Sequence, residues 1–145
     1  MLRTPDPETH PQFYEGVPLK RLLAWLVDVT LIALICVLLL PFTAFTGLFF
    51  FPLMMLVVGF AYRVITLSNG SATWGMRLMG MELRDQADAP LDFTTAFLHT
   101  SGYAVSMAMA PLQLISVVLM ATSARCQGLT DMLLGTAALN RRLRD

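Results

Sequence analysis

The sequence predicts an all-α fold: a polytopic helical membrane protein with two firm transmembrane helices and a third, proline-bent membrane segment. Three observations carry this. The 145-residue chain is 56% hydrophobic and only 14% charged, whereas about a quarter of the residues of a soluble domain carry charge. Between Leu22 and Leu67 the only formal charges are Asp28 and Arg63, and about 45 such residues suffice for two spans of about 20 residues joined by a tight turn. A further apolar stretch, Thr94 to Ala121, follows a polar loop and carries Pro111 near its middle.

Residues 1–18 hold Pro5, Pro7, Pro11 and Pro18 among Asp6, Glu8 and Glu15. They lack the basic leader and small-residue cleavage site of a secretory signal, so they are expected as an uncleaved, loosely ordered tail. The transmembrane domain then covers residues 19–140. Its first span reads Leu22 to Leu40 and stops at Pro41, a residue that suits a helix boundary and not a helix interior. Phe42 to Gly47 forms a short uncharged turn. The second span runs from Leu48 to Leu67, with Phe49, Phe50 and Phe51 at one interface and Tyr62 and Arg63 toward the other, where a long cation can snorkel to water. Pro52 is absorbed in its first turns.

Asn69-Gly70-Ser71 signals a loop. Trp74 to Leu83 mixes apolar residues with Arg77 and Glu82 in no single period, which leaves a short interfacial helix and a hairpin both open. Glu82 and Asp85 beside Arg84 read as a solvated loop, and Thr94 or Thr95 can cap the helix that follows. That last apolar region is about 28 residues, about 42 Å if helical. As one kinked span it places Arg125, Arg141, Arg142 and Arg144 opposite Lys20, Arg21, Arg77 and Arg84, against the positive-inside rule. As a re-entrant pair folded at Pro111 it keeps every cation cytoplasmic, although each half reaches only about 20 Å of the ~30 Å hydrocarbon layer. The second reading, with both termini cytoplasmic, is preferred. Asp131 to Leu134 forms a short helix stopped at Gly135, and residues 141–145 are a basic tail attracted to anionic lipid.

Asp28 is the feature that most invites a function. A lone Asp near the centre of a membrane helix costs about 2.5–3.5 kcal/mol on insertion scales, so the fold must offset it. Arg21, seven residues earlier and on nearly the same helix face, is the expected partner. Arg63 and His99 are further candidates for the same polar cluster; the bland alternatives are snorkelling for Arg63 and a headgroup-facing helix start for His99. Cys36 and Cys126 fall at different depths, so no mutual disulfide is expected. The ten methionines read as adaptable packing, and no His/Cys set has metal-ligand spacing. No nucleophile elbow, phosphate loop or metalloprotease signature occurs, so an enzyme is not expected, nor is any cofactor. Net charge is zero and no basic stripe supports nucleic-acid binding.

These residues resemble the RDD family of bacterial membrane proteins, whose name records one arginine and two aspartates. Arg21 opens the first span, Asp28 lies within it, and Asp131 stands in Gly128-Leu-Thr-Asp-Met-Leu-Leu-Gly-Thr136; Thr73-Trp-Gly-Met-Arg-Leu-Met-Gly80 is similar to the family's Thr-Leu-Gly-Lys-Arg loop. The chain departs from the pattern at Met76, where the family commonly has lysine, at His99, where arginine often stands, and at Thr130, where histidine is frequent. The resemblance implies a small inner-membrane protein that takes part in transport of an unidentified ion or small solute. Arg21, Asp28 and Asp131 would form a polar cluster at the cytoplasmic mouth of the bundle. In the competing reading the cluster is a structural network, and the chain is a non-catalytic accessory subunit of a larger membrane complex. With so few membrane segments, transport requires a homo-oligomer or a second subunit.

Overall fold

The computed structural model describes residues 4–140; the basic tail, residues 141–145, and the first three residues of the N-terminal segment lie outside them. The architecture is helical and polytopic, with a small two-stranded sheet at one end. Helix α1 (Val17–Leu39) and helix α2 (Phe51–Ser68) are both long and apolar enough to cross a bilayer. Between them Pro41 sits in a 3₁₀ turn, Leu40–Thr43, and Ala44 and Phe45 take left-handed backbone angles. The turn is closed by hydroxyls: Thr43 Oγ1 donates to the Leu40 carbonyl at 2.9 Å and accepts from the Gly47 N–H at 3.2 Å. Backbone groups left over at a helix end thus find partners without water.

After α2 the chain forms a one-turn helix α3 (Trp74–Leu78) and strand β1 (Met81–Arg84). The segment that the sequence left open is therefore a helix followed by a strand, and the strand's partner is distant. It pairs antiparallel with β2 (Ala137–Asn140), Met81 opposite Asn140 and Arg84 opposite Ala137. A four-residue strand has no local period to announce it. Glu82, expected in a solvated loop, is buried on β1 and holds the Arg84 guanidinium.

Helices α4 (Phe93–Ala108) and α5 (Ala110–Thr122) meet at Met109 with a bend of 118°. Pro111 falls in the first turn of α5, where its missing N–H costs nothing. The cap of α4 is Asp92, not Thr94 or Thr95, and its carboxylate accepts from the Thr95 N–H at 2.8 Å. Because β1 before the pair and β2 after it share one sheet, the pair enters and leaves at the same end. A bend of this size belongs to a broken span or a re-entrant pair, the two arrangements the sequence left open. Helix α6 (Leu129–Leu134) follows and stops at Gly135, whose φ of +72° is the left-handed conformation of a helix C-terminus.

The main core lies at the sheet end, where Val17, Leu67, Met81, Leu83 and Leu139 are fully buried together. The N-terminal segment reaches this core through Tyr14 and Val17, with Phe13 packed against it: Pro11–Phe13 is a 3₁₀ turn, and the Tyr14 hydroxyl donates to the Pro5 carbonyl at 2.6 Å. Prolines weaken helix here but do not prevent packing. A smaller cluster, Ile32, Cys36 and Tyr62, packs α1 against α2, while Leu38, Phe42, Phe49 and Leu114 are exposed. Apolar side chains turned outward along α1, α2 and α5 are what a lipid environment accepts. Cys36 and Cys126 are free thiols.

Candidate functional site

Asp28 sits on α1 with a relative exposure of 3%, and its partners are neutral. Oδ1 accepts the Tyr62 hydroxyl at 2.7 Å and the Gly75 N–H at 2.9 Å, and Oδ2 accepts the Thr73 hydroxyl at 2.6 Å. Thr73 is also the N-cap of α3, receiving the Met76 N–H. One hydroxyl thus starts the helix and holds the carboxylate. A Cβ on Gly75 would stand 2.2 Å from the Ala24 carbonyl oxygen and 2.8 Å from Asp28 Oδ1. Only glycine lets the α3 backbone come this close to α1.

The expected Arg21–Asp28 pair is absent. Seven residues of helix advance about 10 Å, and helical side chains slant toward the N-terminus, so Arg21 points away from Asp28. Its Nη1 instead reaches Asp131 Oδ2 at 3.0 Å. Asp131, with a relative exposure of 1%, is a hub of four donors: Arg21 and the Gly128 N–H on Oδ2, and His99 Nε2 at 2.7 Å with the Thr136 hydroxyl at 2.8 Å on Oδ1. Burial raises the carboxyl's pKa, but the Arg21 charge, the His99 contact and the Thr136 hydrogen bond together outweigh it and hold the group well below the usual carboxylate range. His99 therefore faces Asp131 and not the headgroups. With a carboxylate on Nε2, neutral His99 carries its proton there and leaves Nδ1 as an acceptor, and that atom has no hydrogen-bond partner among the described residues.

Arg63 does not snorkel. Its guanidinium carbon lies 4.1 Å from the centre of the Tyr103 ring on α4, and the Tyr103 hydroxyl accepts the Trp25 indole N–H at 2.6 Å. Sequence reasoning missed Tyr62, Thr73, Tyr103 and Trp25, because neutral and aromatic partners leave no mark in a charge pattern.

All five candidates, Arg21, Asp28, Arg63, His99 and Asp131, line one cavity of about 470 Å³ between α1, α2, α4, α5 and α6. The carboxylates occupy separate hydrogen-bond sets within it. All three positions that depart from the expected pattern, Met76, His99 and Thr130, face this space. Among the described residues no group of three or more His, Cys, Asp or Glu side chains is placed to hold a metal.

The family model of the RDD family matches residues 16–135. The chain belongs to the RDD family. No curated protein and no solved structure matches it. In this RDD protein the arginine and the second aspartate form one ion pair, while the first aspartate is served by the Thr73-Trp-Gly75 loop. The motif that resembles the family's loop thus has a physical task here.

Proposed function

We propose that this RDD protein binds a small ion or solute in the cavity and takes part in moving it across a bacterial inner membrane. The observation that carries the reading is the convergence of five ionisable side chains from four helices on one cavity of about 470 Å³. Ionisable groups at membrane depth are expensive and stand as candidates for a substrate or ion pathway. The volume falls in the range of small-molecule pockets. The protein performs no covalent chemistry in this reading. Lys20, Arg21, Arg77, Arg84 and Arg125 flank the sheet end, which supports a cytoplasmic placement of that end and of both termini. Reconstitution into liposomes with an ion- and solute-flux readout tests it. Flux that disappears in Arg63→Met at equal protein abundance supports transport, and no flux above empty liposomes under any gradient overturns it.

A second reading is favoured by the saturation of Asp131, whose four donors leave it little capacity for a passing solute. In it the network docks α6 on α1 and α4, and the protein is an accessory subunit whose exposed helix faces bind a larger membrane complex. Native mass after mild extraction separates the two: a closed homo-oligomer supports transport, and comigration with another complex supports the accessory role.

A further inference from the structure

Resting on the solute-binding reading, we infer that the cavity takes an amphipathic anion: a single carboxylate or phosphate group held by Arg63, with an apolar body lying along Trp25, Met107, Val117 and Met120. The inference comes from accounting for donors and acceptors on the cavity wall. Both carboxylates are committed, Asp28 to Tyr62, Thr73 and Gly75, and Asp131 to Arg21, His99, Thr136 and Gly128. Arg21 is committed with Asp131.

Arg63 is not. Among the described residues no carboxylate oxygen lies within 4.0 Å of its nitrogens and its buried Nε has no hydrogen-bond partner; its guanidinium lies over the face of Tyr103. A guanidinium stacked on an aromatic ring keeps its planar edge of N–H groups free, and that edge matches a carboxylate or phosphate two oxygens at a time. A cation held at membrane depth ordinarily finds a counter-charge. Here the Asp28 and Asp131 charges act on it only from beyond contact distance, so the N–H edge is left for the oxygens of a ligand. The rest of the lining is mostly apolar, including Leu22, Trp25, Met107, Val117 and Met120. An inorganic anion would leave that surface uncovered, whereas an acyl or other hydrocarbon body would cover it.

Trp25 reports on the site. The full chain contains two tryptophans, and Trp74 is half exposed at the start of α3, so Trp74→Phe leaves the Trp25 emission as the probe. In neutral detergent, octanoate, octanol, octylammonium and inorganic phosphate are each titrated below micelle-forming concentrations. A saturable Trp25 response to octanoate, at least tenfold tighter than to the other three, is expected. Arg63→Gln should weaken octanoate at least tenfold, and Arg63→Lys, which keeps the charge and loses the fork, should fall between and covers the case in which Arg63→Gln fails to fold. Competition by a short-chain phosphatidylglycerol identifies lipid as the source of the anion; its absence identifies a free solute. Octanoate binding unchanged in both variants overturns the inference. Equal or tighter binding of octylammonium also overturns it while leaving the solute-binding reading intact, and silence of every probe overturns it and leaves that reading to the flux measurement.

Discussion

Arg21 and Asp131, 110 residues apart in the chain, meet at 3.0 Å and fasten the start of α1 to the short helix α6. The pair is buried on the aspartate side and only slightly exposed on the arginine side. Removing one member of such a pair leaves the other charge uncompensated, so Arg21→Met and Asp131→Asn should each lower stability by about 3 kcal/mol. Denaturant titration in detergent, followed by circular dichroism, checks this. Near-additive loss in the double variant would deny the coupling.

The same carboxyl predicts acid lability. Its folded pKa is depressed below the unfolded value of about 3.9, so the stabilisation is complete above that value and drains away as pH falls through the folded pKa. As pH falls below about 4 the thermal midpoint of the wild type should therefore drop more steeply than that of Asp131→Asn. Parallel midpoint curves for the two proteins would contradict the assignment.

Asp28 relies on hydroxyl and amide donors. Tyr62→Phe and Thr73→Val each delete a hydrogen bond to a charged acceptor and should cost about 1.5–3 kcal/mol. Asp28→Asn retains one acceptor oxygen but presents an NH₂ group to hydroxyl donors, and a loss of about 1–3 kcal/mol is expected. If Asp28→Asn assembles at normal abundance yet loses flux, the carboxylate charge serves transport directly and not through the fold.

Gly75→Ala should separate α3 from α1. The added methyl overlaps the Ala24 carbonyl, which is backbone and cannot swing aside. A cost of about 2–3 kcal/mol follows from overpacking, and faster protease cleavage in residues 69–80 would report the displaced loop. Wild-type stability in this variant would show the contact to be loose.

Lys20 Nζ donates to Asn140 Oδ1 at 2.7 Å, so the start of α1 and the end of β2 lie together and are expected on one side of the membrane. Lys20→Cys with Asn140→Cys should be joined rapidly by a short bifunctional thiol reagent in intact membranes. Compartment-sensitive reporters fused to either end should agree. Opposite reporter signals would restore the single kinked span for α4 and α5.

Composition and local pattern determined the membrane class, the two spans to within a few residues, the stop at Gly135, and the residues Arg21, Asp28 and Asp131 as notable; the family motifs were readable for the same reason. Hydrophobic runs, prolines and lone charges act over one or two helical turns, and that range is what a linear pattern records. Tertiary structure alone decided which charge meets which. It sent Arg21 to Asp131 and gave Asp28 to a tyrosine, a threonine and a glycine amide. It also drew Tyr14 of the proline-rich N-terminal segment into the core and paired β1 with β2 across the chain. Such choices depend on where helices bend and which ends they bring together, and the 118° turn at Met109 sets that geometry through packing, not through any residue type that announces it.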